Sequence, residues 1–342
     1  MSAVAIRMFG LSLRLPRRLV IANFLLVLAT LVVFMTGLVG GTYGVGFSDL
    51  VAVMTNTADP VLSMVVLENR LPRLLTALGV GLAFGLSGEM IQTLLRNPLA
   101  SPDIVGFTAG AGLGAVLVVA FTGATAFVVV GALIGGGAAA TLLLLLTLRQ
   151  GFSPAALIIT GIGLTLTLGV VTDLAMIRLD ENNAAGVIKW IVGSLDARSW
   201  ADAGLVWLGL CFVGAMALWH QFTLVRLGLA DDVAQGLGLK IKRARMTTIV
   251  LAVLCVALGV TAAGPLPFVA FVAGPIAHGL NGQSRPTIIS AALVGALVTL
   301  LADRATQILP GFLVLPAGIF TALIGAPVLI WVLISLSKRR TL

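Results

Sequence analysis

About ten apolar segments, each close to the ~20 residues a helix needs to cross a bilayer, run through this chain at approximately 19–39, 71–93, 104–122, 125–147, 155–178, 203–222, 246–263, 268–281, 287–305 and 317–337. That repetition restricts the chain to a polytopic membrane protein. Mean hydropathy is +1.13 and charged residues make up 10%, where soluble domains carry about 25%. So little polar side chain could not cover a water-facing surface. A β-barrel does not fit, because no alternation of period two appears in ~10-residue units. The first apolar run is longer than a typical signal-peptide core and no clear small-residue cleavage site follows, so it reads as an uncleaved span.

The net charge of +8 does not point to nucleic acid. Its basic residues form short clusters between apolar spans, as the positive-inside rule requires. With the N-terminus inside, only Arg70, Arg73, Arg178, Lys189, Arg198 and Arg304 of the 21 Lys and Arg fall in outer loops. Both termini are therefore expected in the cytoplasm. Cys211 and Cys255 lie in apolar runs and read as small hydrophobes.

Three hydrophilic stretches interrupt the spans. Residues 40–69 form an outer loop with an amphipathic piece, FSDLVAVM. Residues 180–202 form a second, with Trp190 and Trp200 suited to a membrane interface. Residues 226–245 form the largest inner loop. There, Ala230–Leu237 is expected to make a short helix with Asp231 and Asp232 in its first turn, where acids favour the dipole, stopped by Gly236 and Gly238. No stretch could fold as a separate soluble domain, so residues 1–342 form one transmembrane domain.

The stretch from Asn69 to Phe107 is unusual for a plain anchor. Arg70 and Arg73 flank a proline, read here as two exposed charges at a helix start. A glycine-dotted span follows, holding Glu89 and Gln92. It closes in NPLASPD, which cannot continue a helix. Polar groups inside a span are expensive and are read as functional by default, so Glu89, Gln92 and Asn97 are pathway or gating candidates. The alternative for Glu89 is an interfacial group paired with Arg96 or a second subunit. Asp173 is a similar, weaker candidate. His220 reads as interfacial. No phosphate-binding G-x-x-x-x-G-K-[ST] loop and no HExxH helix occurs, so ATP hydrolysis or membrane-embedded catalysis by this chain is not expected. Neither is a bound metal, for want of a ligand cluster.

Arg70-Leu71-Pro72-Arg73, Gly85-Leu86-Ser87-Gly88, Gln92 and Asn97 through Gly106 resemble the signature of the iron-siderophore and cobalamin importer permeases. The resemblance continues through Trp190, Gly193-Ser194-Leu195, the Leu229–Gly238 segment, Gly264-Pro265, Phe268-Val269, Ala302-Asp303, Leu315-Pro316-Ala317-Gly318 and Gly325-Ala326-Pro327. It implies an all-α fold of about ten transmembrane helices, that of a type II ABC importer permease. It also implies two ATPase subunits that bind the ATP, a second permease subunit (same or paralogous) and a periplasmic binding protein, all in a bacterial inner membrane. This chain would hold no cofactor and would not be an enzyme.

Arg70 and Arg73 are then the binding-protein docking charges. By the same resemblance, Leu229, Ala230, Asp231, Asp232, Ala234, Leu237 and Gly238 would contact the ATPase as a coupling helix. The family's further docking arginine falls on Gln307, with Arg304 nearby, and Gly274-Pro275-Ile276-Ala277-His278 has histidine where the family has arginine. Catecholate-siderophore members look similar at Val314 and Gln307, so ferric catecholate is the expected cargo. Heme or cobalamin import is the alternative within this class. An ion-coupled secondary transporter using Glu89 and Asp173, or a purely structural membrane subunit, stands outside it.

Overall fold

The computed structural model describes residues 3–8, 11–40, 43–149, 152–282, 286–308 and 315–340. An antiparallel hairpin, Ala3–Met8 with Leu11–Pro16, precedes the helices; the sequence reading did not anticipate it. The helices are α1 (Arg17–Leu38), α2 (Phe47–Met54), α3 (Pro60–Leu95), α4 (Phe107–Thr122), α5 (Val128–Arg149), α6 (Pro154–Met176), α7 (Glu181–Val192), α8 (Trp200–Leu227), α9 (Asp231–Gly236), α10 (Ile241–Ala263), α11 (Val269–Asn281), α12 (Ile288–Ile308) and α13 (Ala317–Arg340).

Among the described residues, eight of these helices are long and apolar enough to cross a membrane. The shorter apolar helices α4 and α11 complete the ten expected positions. Both are cut short by chemistry visible in the sequence. Gly106, with φ +76°, sets the start of α4 after a 3-10 turn at Pro102–Val105. α11 stops at Gly282, with φ +61°, and Pro275 lies inside it.

The main departure concerns α3. It starts at Pro60, with proline at a first-turn position where no N–H is needed, and runs unbroken to Leu95. A π-helical stretch, Met64–Arg70, absorbs the join. Arg70 and Arg73 therefore sit inside a helix, not at its start, so the expected repulsion from a dipole end does not arise. His220 also departs from expectation: it is buried, with Nε2 2.8 Å from Thr248 Oγ1.

α3 is the centre of the bundle. Of the residues in its apolar window, 83% are buried, against 11% for α6. Without a hydrophobic force between helices in lipid, close backbone approach carries the packing. Within α3, Gly88 is the tightest case: a Cβ there would lie 1.9 Å from Ala270 O on α11. Gly85 lies against Ala291 O of α12 in the same way.

Candidate functional site

The segments quoted from distant parts of the sequence meet at one place. Gly193 has φ +82°, and a Cβ on it would lie 2.0 Å from Pro265 O. A Cβ on Gly264, φ +72°, would lie 2.4 Å from Trp190 O, and one on Gly318 1.7 Å from Val192 O. Ser194 N donates to Ala263 O at 2.8 Å and Gly318 N to Gly193 O at 3.1 Å. Glycine serves at each of these positions because the neighbour is backbone, which cannot rotate away.

Beside this junction lies a recess of about 460 Å³, within the size range of small-molecule pockets. Its walls are Phe84 of α3, Ile191 and Val192 of α7, the Pro265–Pro267 turn and Ile319 of α13. Asp103 is the charged residue among its walls. Its carboxylate accepts from Thr108 Oγ1 at 2.7 Å and Ser101 Oγ at 3.2 Å. The surface is mostly apolar with one fixed, hydrogen-bonded charge, so it can contact a bulky molecule without gripping it.

Glu89 and Gln92 do not line the recess. Both face α11 and are buried. Pro275 lacks the N–H that would bond Phe271 O four residues earlier; Gln92 Nε2 donates to that carbonyl at 2.8 Å. Glu89 Oε1 accepts from Thr287 N at 2.9 Å and lies 3.1 Å from His278 Nε2. The alternative pairing of Glu89 with Arg96 is not made. The histidine in the place of the family arginine instead provides the contact to Glu89. Asn97 closes an Asx turn, its Oδ1 accepting from Leu99 N at 2.9 Å. Asp173 lies exposed on α6.

At one end of the bundle, Arg73 is held internally. Its Nε donates to Asp303 Oδ1 at 2.9 Å, Nη1 to Asp196 at 2.8 Å and Nη2 to Thr306 Oγ1 at 3.1 Å. Its side chain is 16% exposed and that of Asp303 is 0% exposed. The expectation of two exposed arginines is thus corrected for Arg73, because the acids of α12 and of the 193–199 segment converge on it. Arg70 is half-buried and donates to Leu38 O at 2.7 Å and to Tyr43 O. It thereby places positive charge on the last carbonyls of α1, where the helix dipole favours it.

At the opposite end stands α9, with Ala230 before it and Gly238 at φ +79° after it, as the sequence indicates. Asp231 is gripped twice. Arg96 Nη2 donates to it, as does Arg245 Nη2 at 2.8 Å. Arg96 also donates to Leu227 O and Leu229 O, and Arg245 to Phe152 O. Desolvation pushes the Asp231 carboxyl up, but the Arg96 hydrogen bond and the nearby Arg245 and Arg96 charges outweigh it and hold the group below its ordinary value. Ala234 is buried, which seats the helix, while Asp232 is exposed. Val233 on α9 and its flanking residues Leu229 and Leu237 are exposed apolar side chains, at 53%, 40% and 55% exposure. Sequence reading missed Val233; its spacing of four from each neighbour was the available signal.

The sequence pattern of the FecCD transport family matches residues 28–335. The ferric enterobactin transport system permease protein FepG of Escherichia coli (strain K12) is 36% identical over 329 residues, which is 95% of this chain and 98% of FepG. The Fe(3+) dicitrate transport system permease protein FecD of the same strain is 35% identical, covering 79% of this chain and 85% of FecD. Among solved structures, an ABC transporter assigned to the metal-chelate type, in an inward-facing conformation, aligns with a TM-score of 0.81 at 27% identity. The alignment covers 92% of this chain and 98% of that one.

Proposed function

The chain belongs to the FecCD transport family, and on that premise we propose that it is the permease subunit of a binding-protein-dependent ABC importer that moves a ferric catecholate siderophore inward across a bacterial inner membrane. Likeness to FepG along nearly the whole of both chains carries the choice of cargo. The apolar recess with a single fixed carboxylate suits a path that must release what it admits.

Two such permease subunits, identical or paralogous, enclose the path between them. The little-buried α6, with Asp173 on its surface, is the kind of face a second subunit would cover. Two ATPase subunits bind ATP on the cytoplasmic side. The exposed Leu229, Val233 and Leu237 support this reading, because apolar side chains exposed on and beside a short charged helix fit a cleft in another protein. The Asp231 clamp ties α9 to α3 through Arg96 and to α10 through Arg245. A push on α9 is therefore passed to two spans as a rigid-body movement. The opposite end, around Arg70 and Arg73, receives the loaded binding protein. Both termini lie in the cytoplasm, consistent with the excess of basic residues in the loops on that side.

The test is uptake of a panel of radiolabelled iron chelates by cells with and without this chain. Loss of ferric catecholate uptake alone is the expected result. Loss of heme, cobalamin or citrate–iron uptake instead would overturn the choice of cargo.

A further inference from the structure

Among the described residues that wall the recess, Asp103 alone carries a charge. It is exposed, and no cation among the described residues stands within ion-pair distance of it. The recess also touches Phe84, about three turns before the end of α3 at Leu95. The carboxylate therefore faces a space that reaches well into the span, where a charge is screened less than on a wet surface.

The turn that carries Asp103 cannot swing away. Asp103 O accepts from Thr165 Oγ1 of α6 at 3.2 Å and from Gly106 N at 2.8 Å. One residue on, Ile104 O packs on Gly161 of α6, where a Cβ would lie 1.8 Å from it. The hydroxyls of Thr108 and Ser101 hold the carboxylate oxygens in turn. Both are neutral donors, so they orient the group without cancelling its charge.

A ferric tris-catecholate is an anion. Six phenolate oxygens around one ferric ion leave three negative charges, whereas three hydroxamates leave none. A fixed like charge opposes the first by Coulomb repulsion and is indifferent to the second. The other walls, mostly apolar, supply no counter-charge. We infer that Asp103 sets the charge preference of the recess: it shortens the stay of an anionic chelate there and leaves a neutral chelate of similar bulk unaffected. This deepens the importer reading above and rests on it. The cargo is delivered by a partner and needs no affinity for the path, so a like charge on the wall favours its release.

Equilibrium binding of a radiolabelled ferric tris-catecholate and of a neutral ferric trihydroxamate is measured on the nucleotide-free transporter, assembled with its ATPases in nanodiscs and without binding protein. Asp103→Asn keeps the size and an acceptor oxygen and removes the charge. It should tighten catecholate binding about tenfold and change hydroxamate binding less than about twofold. The gain should shrink as salt rises. Asp103→Glu, which keeps the charge, should stay within about threefold of wild type for both chelates. An equal gain for the two chelates, no gain for either, or a loss for the catecholate overturns the inference. Absence of ATP-dependent uptake of any iron chelate by the unaltered transporter with its binding protein defeats the importer reading instead, and the binding comparison still judges Asp103 separately.

Discussion

Arg73 Nε donates to the carboxylate of Asp303 at 2.9 Å, joining α3 to α12 across 230 residues of sequence. Asp303 is fully buried, so its charge depends on that partner. Removing one member of a buried pair typically costs about 3–5 kcal/mol, because the other charge is left uncompensated. Arg73→Leu is expected to destabilise the chain on that scale, and the double variant Arg73→Leu/Asp303→Leu to recover part of the loss. Thermal unfolding in detergent reads both. A single variant melting with wild type would show that the pair holds nothing together.

Asp231 gives a pH dependence whose sign is fixed. Its folded-state pKa is depressed by Arg96 and Arg245. The resulting stability is present above the ordinary Asp value, near ~3.9, and is lost as pH falls through the lower folded value. Asp231→Asn should therefore melt below wild type at neutral pH, and the two curves should converge on acidification. A gap that stays constant down to acid pH would exclude this charge pairing. The side chain is 38% exposed, so solvent screening keeps the effect modest.

The glycine contacts separate tight positions from open ones. At Gly88 an added Cβ meets Ala270 O at 1.9 Å, whereas at Gly204 nothing lies within 4 Å. Gly88→Ala should lose about 1–3 kcal/mol through overpacking and reduce uptake. Gly204→Ala, on a helix with room, should be neutral or gain up to about 1 kcal/mol. Equal melting shifts for the two would contradict the close packing of α3 on α11.

Val233→Asp and Leu237→Asp place charge on exposed apolar positions on and beside α9 without touching the bundle interior. Both should keep the wild-type melting temperature and lose co-purification of the ATPase subunits. Retained ATPase assembly would remove the coupling role from these residues.

Eight spans could be read from the sequence because each is a long apolar run, and the shortness of α4 and α11 because their runs are interrupted by glycine and proline; the NPLASPD turn was legible because proline and Asx chemistry act locally. The true start of α3 could not. Its first turns, Pro60–Arg70, carry Glu68 and Asn69 and pass through a π-helical stretch, so composition there looks like a loop. The partners of Glu89 and Arg73 were hidden for a different reason. Thr287, Asp196 and Asp303 approach them only through the packing of helices far apart in sequence. The Asp231 clamp was half visible: the acid in the first turn of α9 was legible, while Arg96 and Arg245 became its partners only once α3 and α10 were placed beside it.

The most direct measurement of the central claim is transport in proteoliposomes containing this chain, its paired permease subunit and the ATPase subunits, with ferric catecholate-loaded binding protein added on the receiving side. The expected result is chelate accumulation that requires ATP, the binding protein and an intact α9, with no dependence on a proton or sodium gradient. Accumulation driven by an ion gradient in the absence of the ATPase subunits would contradict it.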